Sequence, residues 1–168
     1  GVTVLVAPYY MNTEQWMVPS LVLDSQNLAH VLYPYNGTMW YRRQTAPGVW
    51  TAAEDTGQPY YSAFNLSIDS QDNLYRVVYI AAERRLAYYL RSAADGAWSL
   101  NPIPQPETLA VSTAGRIVAL MTPEDELYVF FNVTLGTDNV AWVYRAADGE
   151  WIDPKKWLPK NSPSNSVV

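Results

Sequence analysis

Hydrophobic and polar positions along this chain form short runs and period-two alternations separated by polar turns, which is the pattern of β-strands. Leu21-Val22-Leu23 and Asn65-Leu66-Ser67-Ile68 predict short first strands, each followed by an Asp-Ser-Gln turn. Residues 29–33, 75–80 and 128–133 predict buried second strands, and residues 39–43, 86–91 and 140–145 alternate as third strands. Polar turns containing Gly48, Gly96 and Gly149 then lead into fourth strands that start at Trp50, Trp98 and Trp151. Between the first pair of long strands, Asn36-Gly37 predicts a two-residue hairpin, because both residues tolerate the positive φ of a type I′ turn.

The predicted elements recur. Residues 68–79 lie over residues 23–33 with one deletion and over residues 121–131, where Asp125-Glu126-Leu127-Tyr128 repeats Asp72-Asn73-Leu74-Tyr75. Downstream, Arg91-Ser92-Ala93-Ala94-Asp95-Gly96-Ala97-Trp98 matches residues 144–151, and residues 43–50 more loosely. The repeated tryptophans stand roughly fifty residues apart, the spacing at which four short strands make one propeller blade. The fold expected is therefore all-β: three four-stranded antiparallel blades in a single propeller-type domain, with repeats near 20–60, 61–106 and 107–153. Residues 102–106, Pro-Ile-Pro-Gln-Pro, are expected as a loop between repeats. An extra strand is expected at 2–9 and a fraying tail at 155–168. Three blades do not close a ring, so the chain is expected either to form a homodimer with six or seven blades or to be part of a longer propeller.

Composition narrows the function classes. Forty-nine per cent hydrophobic residues over 168 positions support a buried core, and the 14% aromatic content, thirteen Tyr and seven Trp among it, suits pleated surfaces. A formal net charge of -5 gives no overall attraction to nucleic acid or anionic membrane, and no apolar run is long enough to span a bilayer as a helix. Without cysteine there are no disulfides, and secretion is allowed though not required.

Candidate chemistry is sparse. His30 is the only histidine, so no triad or histidine pair can be assembled, and a buried, hydrogen-bonded role on its strand is the expectation. Acid pairs such as Glu54-Asp55 and Glu124-Asp125-Glu126 fall in predicted turns. The Asp24 and Asp69 turns lack calcium-loop spacing and are explained by aspartate bonding to backbone two residues on. No metal or other cofactor is expected. Of the sequons at Asn36, Asn65 and Asn132, only Asn36 is expected to be a usable glycan site, because the other two fall in strands. Arg42, Arg43, Arg84, Arg85, Arg91 and Arg145 gather at or before third strands, where a solvated face is the plain expectation and an anionic or polyhydroxylated ligand the functional one.

The strings Leu74-Tyr75-Arg76-Val77-Val78-Tyr79, Leu86-Ala87-Tyr88 and Gly96-Ala97-Trp98 resemble the repeat of the fungal fucose-specific lectins, six-bladed propellers that bind sugar between blades through an Arg, a Glu and stacking aromatics. The resemblance implies a propeller with ligands at blade junctions. Arg76 stands at that family's Arg and Trp98 at its Trp, while Tyr88 stands where it has Glu. In the first repeat His30 replaces the Arg with Trp50 kept; in the third Val129 replaces it with Trp151 kept. No repeat holds the whole triad, so fucose specificity does not carry over.

The expected function is a lectin-like domain that binds a glycan or other polyhydroxylated ligand. Arg76, Tyr88 and Trp98 are its best constellation, and His30, Trp50 and Trp151 are the corresponding positions. For Trp50, Trp98 and Trp151, packing between blades is the expectation placed first. Two alternatives stay open: an enzyme, glycan-active or a small-molecule cyclase, working in an aromatic-lined pocket, and a protein-interaction platform.

Overall fold

The computed structural model describes residues 19–59, 64–104, 117–132 and 140–152. The expected strand at 2–9 and tail at 155–168 lie outside them. The first sheet holds β1 (Ser20–Leu23), β2 (Ala29–Tyr35), β3 (Thr38–Ala46) and β4 (Val49–Trp50). The second holds β6 (Phe64–Ile68), β7 (Leu74–Ile80), β8 (Arg85–Arg91) and β9 (Trp98–Pro102). The third holds β10 (Ile117–Met121), β11 (Leu127–Asn132), β12 (Val140–Arg145) and β13 (Trp151–Ile152). Neighbouring strands are antiparallel throughout.

Local chemistry explains the turns. Asn36 (φ 52°) and Gly37 (φ 81°) make the expected hairpin between β2 and β3. Ahead of each second strand the same turn recurs, closed by Asp24 N–H to Leu28 O (3.0 Å), Asp69 N–H to Asn73 O (3.1 Å) and Thr122 N–H to Glu126 O (2.9 Å). Asn27, Asp72 and Asp125 hold its left-handed position. Asp24 Oδ1 accepts from the amides of Gln26 (2.9 Å) and Leu28 (2.8 Å), and Asp69 Oδ1 does the same for Gln71 and Asn73.

Because the three turns are equal in length, the one-residue deletion expected between the first two repeats is not there. His30 is the counterpart of Tyr75 and Tyr128, and Val31, not His30, is the counterpart of Arg76 and Val129. A slip of one residue along a strand moves a side chain to the opposite face, so His30 faces the following sheet while Arg76 faces the preceding one.

Stacking of the sheets follows from alternation along β7, whose seven residues are all buried. Leu74 packs with Leu32, Met39 and Tyr41 of the first sheet, whereas Tyr75, Val77 and Tyr79 pack with Leu127, Val129 and Phe131 of the third. Two repeated tryptophans pack on the preceding sheet, Trp98 edge-on to Tyr41 (6.0 Å) and Trp151 against Tyr88 (5.9 Å). The first strands lie next to one another, and Ser67 Oγ donates to Ala119 O (3.1 Å) between them. The result is three antiparallel sheets stacked face to face in chain order, as successive blades are in a propeller.

A polar staple fixes the spacing of the stack. Asp72 accepts from both the amide and the hydroxyl of Ser25 (2.8 Å each), and Asp125 accepts from the amide and hydroxyl of Ser70 (2.7 and 2.6 Å). Each staple joins the turn of one sheet to the left-handed turn residue of the next. At the third sheet the serine position is Pro123, which has neither donor.

Three elements differ from expectation. A fifth strand, β5 (Glu54–Pro59), pairs with β3, and the polar sequence Glu-Asp-Thr-Gly-Gln-Pro gives no alternation to announce it. β10 precedes the part of the third repeat that aligns with the others. The expected loop 102–106 begins inside structure: Pro102 ends β9 at a sheet edge, where a missing N–H costs little, and Ile103 is buried with its N–H on Leu86 O (3.3 Å).

The Ser70 hydroxyl and amide hold the Asp125 carboxyl below its ordinary range. A depressed folded value contributes stability above the unfolded value of about 4 that is lost as pH falls through the folded one. Asp125→Ala is expected to cost about 1 kcal/mol at pH 7. Its difference from the wild type should narrow as pH is lowered towards about 3, as measured by denaturant unfolding at several pH values.

Candidate functional site

The junction between the first two sheets opens at the turn end of the strands into a polar cleft of about 320 Å³. On the first sheet, His30 of β2 and Arg43 of β3 are direct cross-strand partners and face the second sheet. Gln26 stands beside them, Gln44 lies next in the strand on the opposite face with its Oε1 on the Ala29 amide (3.0 Å), and Asp72 and Arg91 close the cleft from the second sheet.

His30 is pinned. Its Nε2 lies 3.2 Å from Asp24 Oδ2 and its Nδ1 2.7 Å from the Tyr41 hydroxyl, and the residue is 4% exposed. Asp24 is an acceptor, so it takes the Nε2 proton and leaves Nδ1 of a neutral ring to accept from Tyr41. Burial works against the Asp24 charge, but the Leu28 amide, His30 and the Gln26 amide together hold the carboxyl below its usual range. At the second junction Tyr75 does the same job: its hydroxyl donates to Asp69 Oδ2 (3.0 Å), and burial, aided by the Asp69 charge, pushes it up to about 12.

Arg91 lies over the Tyr41 ring, its guanidinium carbon 4.5 Å from the centroid, with Nη2 3.8 Å from Glu54 Oε2. It passes across Gly96, whose φ of 73° favours glycine; a Cβ there would come within 2.8 Å of Nη2 and push the guanidinium end aside. Arg145 repeats the arrangement over Tyr75 (5.7 Å), crossing Gly149. The two junctions then diverge. The registers of β2 with β3 and of β7 with β8 put Leu90 where the first junction has Arg43, and Tyr75 stacks on Tyr88 (5.8 Å) where the first has His30. Beside the staple the second junction is filled by hydrophobic contact, while the first is polar there above its own core of Leu32, Met39, Tyr41, Leu66 and Leu74.

The residues expected to form one constellation are not brought together. Arg76 pairs across the strands with Tyr89 and Val77 with Tyr88, so Arg76 and Tyr88 point to opposite faces of the second sheet. Arg76 faces the first sheet and is fully buried; Nη1 donates to Gln58 Oε1 (2.7 Å) and Nη2 to Pro59 O (3.1 Å), and the guanidinium lies 5.4 Å from the ring centres of Phe64 and Tyr89. Tyr88 faces the third sheet. Trp98 shares the face of Arg76 but packs on Tyr41, and Trp151 packs on Tyr88. Trp50 is half-buried opposite Gln44, at the position equivalent to Trp98 and Trp151.

Arg43 and Arg91 stand among the arginines noted at the third strands, and Asp72 opens the segment that Asp125 repeats, but Gln26 has no sequence signal of its own. The pairing of His30 with Arg43 is the feature that could have pointed to it. Among the described residues no group of three or more His, Cys, Asp or Glu side chains is placed to hold a metal ion.

No family profile matches the chain, and no curated protein matches it by sequence. Among solved structures, a fucose lectin from Kordia zhangzhouensis, determined in complex with methyl-fucoside, is similar over 83% of this chain and 99% of its own, with a TM-score of 0.48 and 8% identity. At that distance neither a residue nor a ligand is transferred from it.

Arg76→Ala removes two buried charged hydrogen bonds and strands Gln58. It is expected to lower unfolding stability by about 3 kcal/mol, read by denaturant titration, with binding in the cleft retained at temperatures where the variant is folded.

Proposed function

We propose that the chain is a non-enzymatic, carbohydrate-binding domain that holds its ligand in the cleft between the first two sheets. The observation that carries this reading is the convergence of planar hydrogen-bonding groups, the Arg43 and Arg91 guanidiniums and the Gln26 amide, on one cleft at the small end of the range of ligand pockets. Planar donors of this kind suit the vicinal hydroxyls of a sugar ring. An acid–base mechanism is disfavoured because the carboxylates of the cleft already have work: Asp24 closes a turn and pins His30, and Asp72 accepts both donors of Ser25. A glycosidase would need two carboxyl groups facing substrate.

The same reading includes a second copy of the chain. The outer face of the third sheet carries exposed Val118, Leu120 and Ile152 beside Trp142, which stands where Tyr41 and Tyr88 receive Trp98 and Trp151. The first sheet offers Trp50 at the matching donor position. Trp50 of one copy against Trp142 of the next would continue the stack with the contact used twice within the chain, as a closing ring requires.

Glycan-array screening followed by calorimetry is expected to find sugar binding that Arg43→Ala weakens at least tenfold; a silent array at high protein concentration would end the carbohydrate reading. Light scattering is expected to give a dimer that Trp142→Asp dissociates, and a monomeric wild type would remove the second copy.

A further inference from the structure

Resting on the carbohydrate reading above, we infer that this cleft selects sugars that bear a single carboxylate, such as a terminal uronic or sialic acid residue, over neutral sugars. The basis is the balance of donors and acceptors facing it. Asp24 Oδ1 is occupied by two backbone amides and Oδ2 by His30. Both Asp72 oxygens are occupied by Ser25 (2.8 Å each). The carboxylate oxygens of the cleft are therefore each engaged by the chain itself.

Its donors are not. Among the described residues, the exposed Arg43 guanidinium has no hydrogen-bond partner. Arg91 has its nearest carboxylate at 3.8 Å, beyond hydrogen-bond reach. A neutral hydroxyl that accepts from these groups must still place its own proton, and the cleft provides few acceptors for it. A carboxylate is acceptor-only and matches a guanidinium in both shape and charge.

Two further observations limit the ligand. The whole chain carries a net charge of -5, which repels a polyanion at long range while leaving a local guanidinium pair effective at contact, so one carboxylate fits better than a sulfated or polyuronic chain. Leu90 and Tyr75 take the places of Arg43 and His30 at the second junction, so one such site per chain is expected.

The test is calorimetry with methyl glucuronoside, its methyl ester, methyl glucoside and N-acetylneuraminic acid against the wild type and Arg43→Ala. Because Arg43 is exposed, the variant should fold, and circular dichroism would verify that. The expected result is that at least one carboxylate sugar binds tenfold or more tighter than the ester and the neutral glycoside, at one per chain, with the preference lost in Arg43→Ala and weakened by salt. Which of the two acids binds identifies the source of the carboxylate. Equal binding of acid and ester, or a neutral sugar bound best, overturns the charge preference while leaving the carbohydrate reading intact. No binding by any sugar overturns both.

Discussion

Burial of both faces of one strand is the constraint on which the rest depends. β7 runs through the middle of the stack, so each of its residues must satisfy either the first sheet or the third. Apolar residues do this by contact, as Leu74 does on one side and Val77 on the other. The one charged residue in the strand, Arg76, needs oxygen acceptors and receives them from Gln58 and Pro59 of the extra strand β5. Remove that strand and a fully buried guanidinium would lose both of those acceptors, which gives β5 a physical reason to exist despite its unpromising sequence.

The two junctions show how one framework supports different chemistry. Both use an aspartate-closed turn, a serine–aspartate staple, an arginine laid over an aromatic ring across a glycine, and a tryptophan set against the preceding sheet. What varies is the residue beside the staple. Leu90 and Tyr75 make the second junction a packing contact, while Arg43 and His30 leave the first with unused donors at a polar opening. The two junctions of this chain differ at those positions while the stacking positions recur.

His30 and Arg76 illustrate how a repeat can mislead when it is read one residue out of register. Laid over one another with a gap, they look like alternative ligands at one position; on the equal-length turns they belong to neighbouring positions on opposite faces. Both are consumed by internal hydrogen bonds, His30 by Asp24 and Tyr41, Arg76 by Gln58 and Pro59. The residues with spare hydrogen-bonding capacity, Arg43 and Arg91, looked like ordinary solvated arginines in the sequence.

The sequence alone determined the all-β class, the strand pattern of most elements, the Asn36-Gly37 hairpin and the aspartate turns, since each depends on φ preferences, two-residue alternation or hydrogen bonds within a few residues. It also placed Trp98 and Trp151 as packing residues. Tertiary structure alone decided the separation of Arg76 from Tyr88, the capture of Arg76 by β5 and the cleft formed by Arg43 and Arg91. These are contacts across strands and between sheets, set by cross-strand register and stacking, which a linear pattern constrains only to a choice of face.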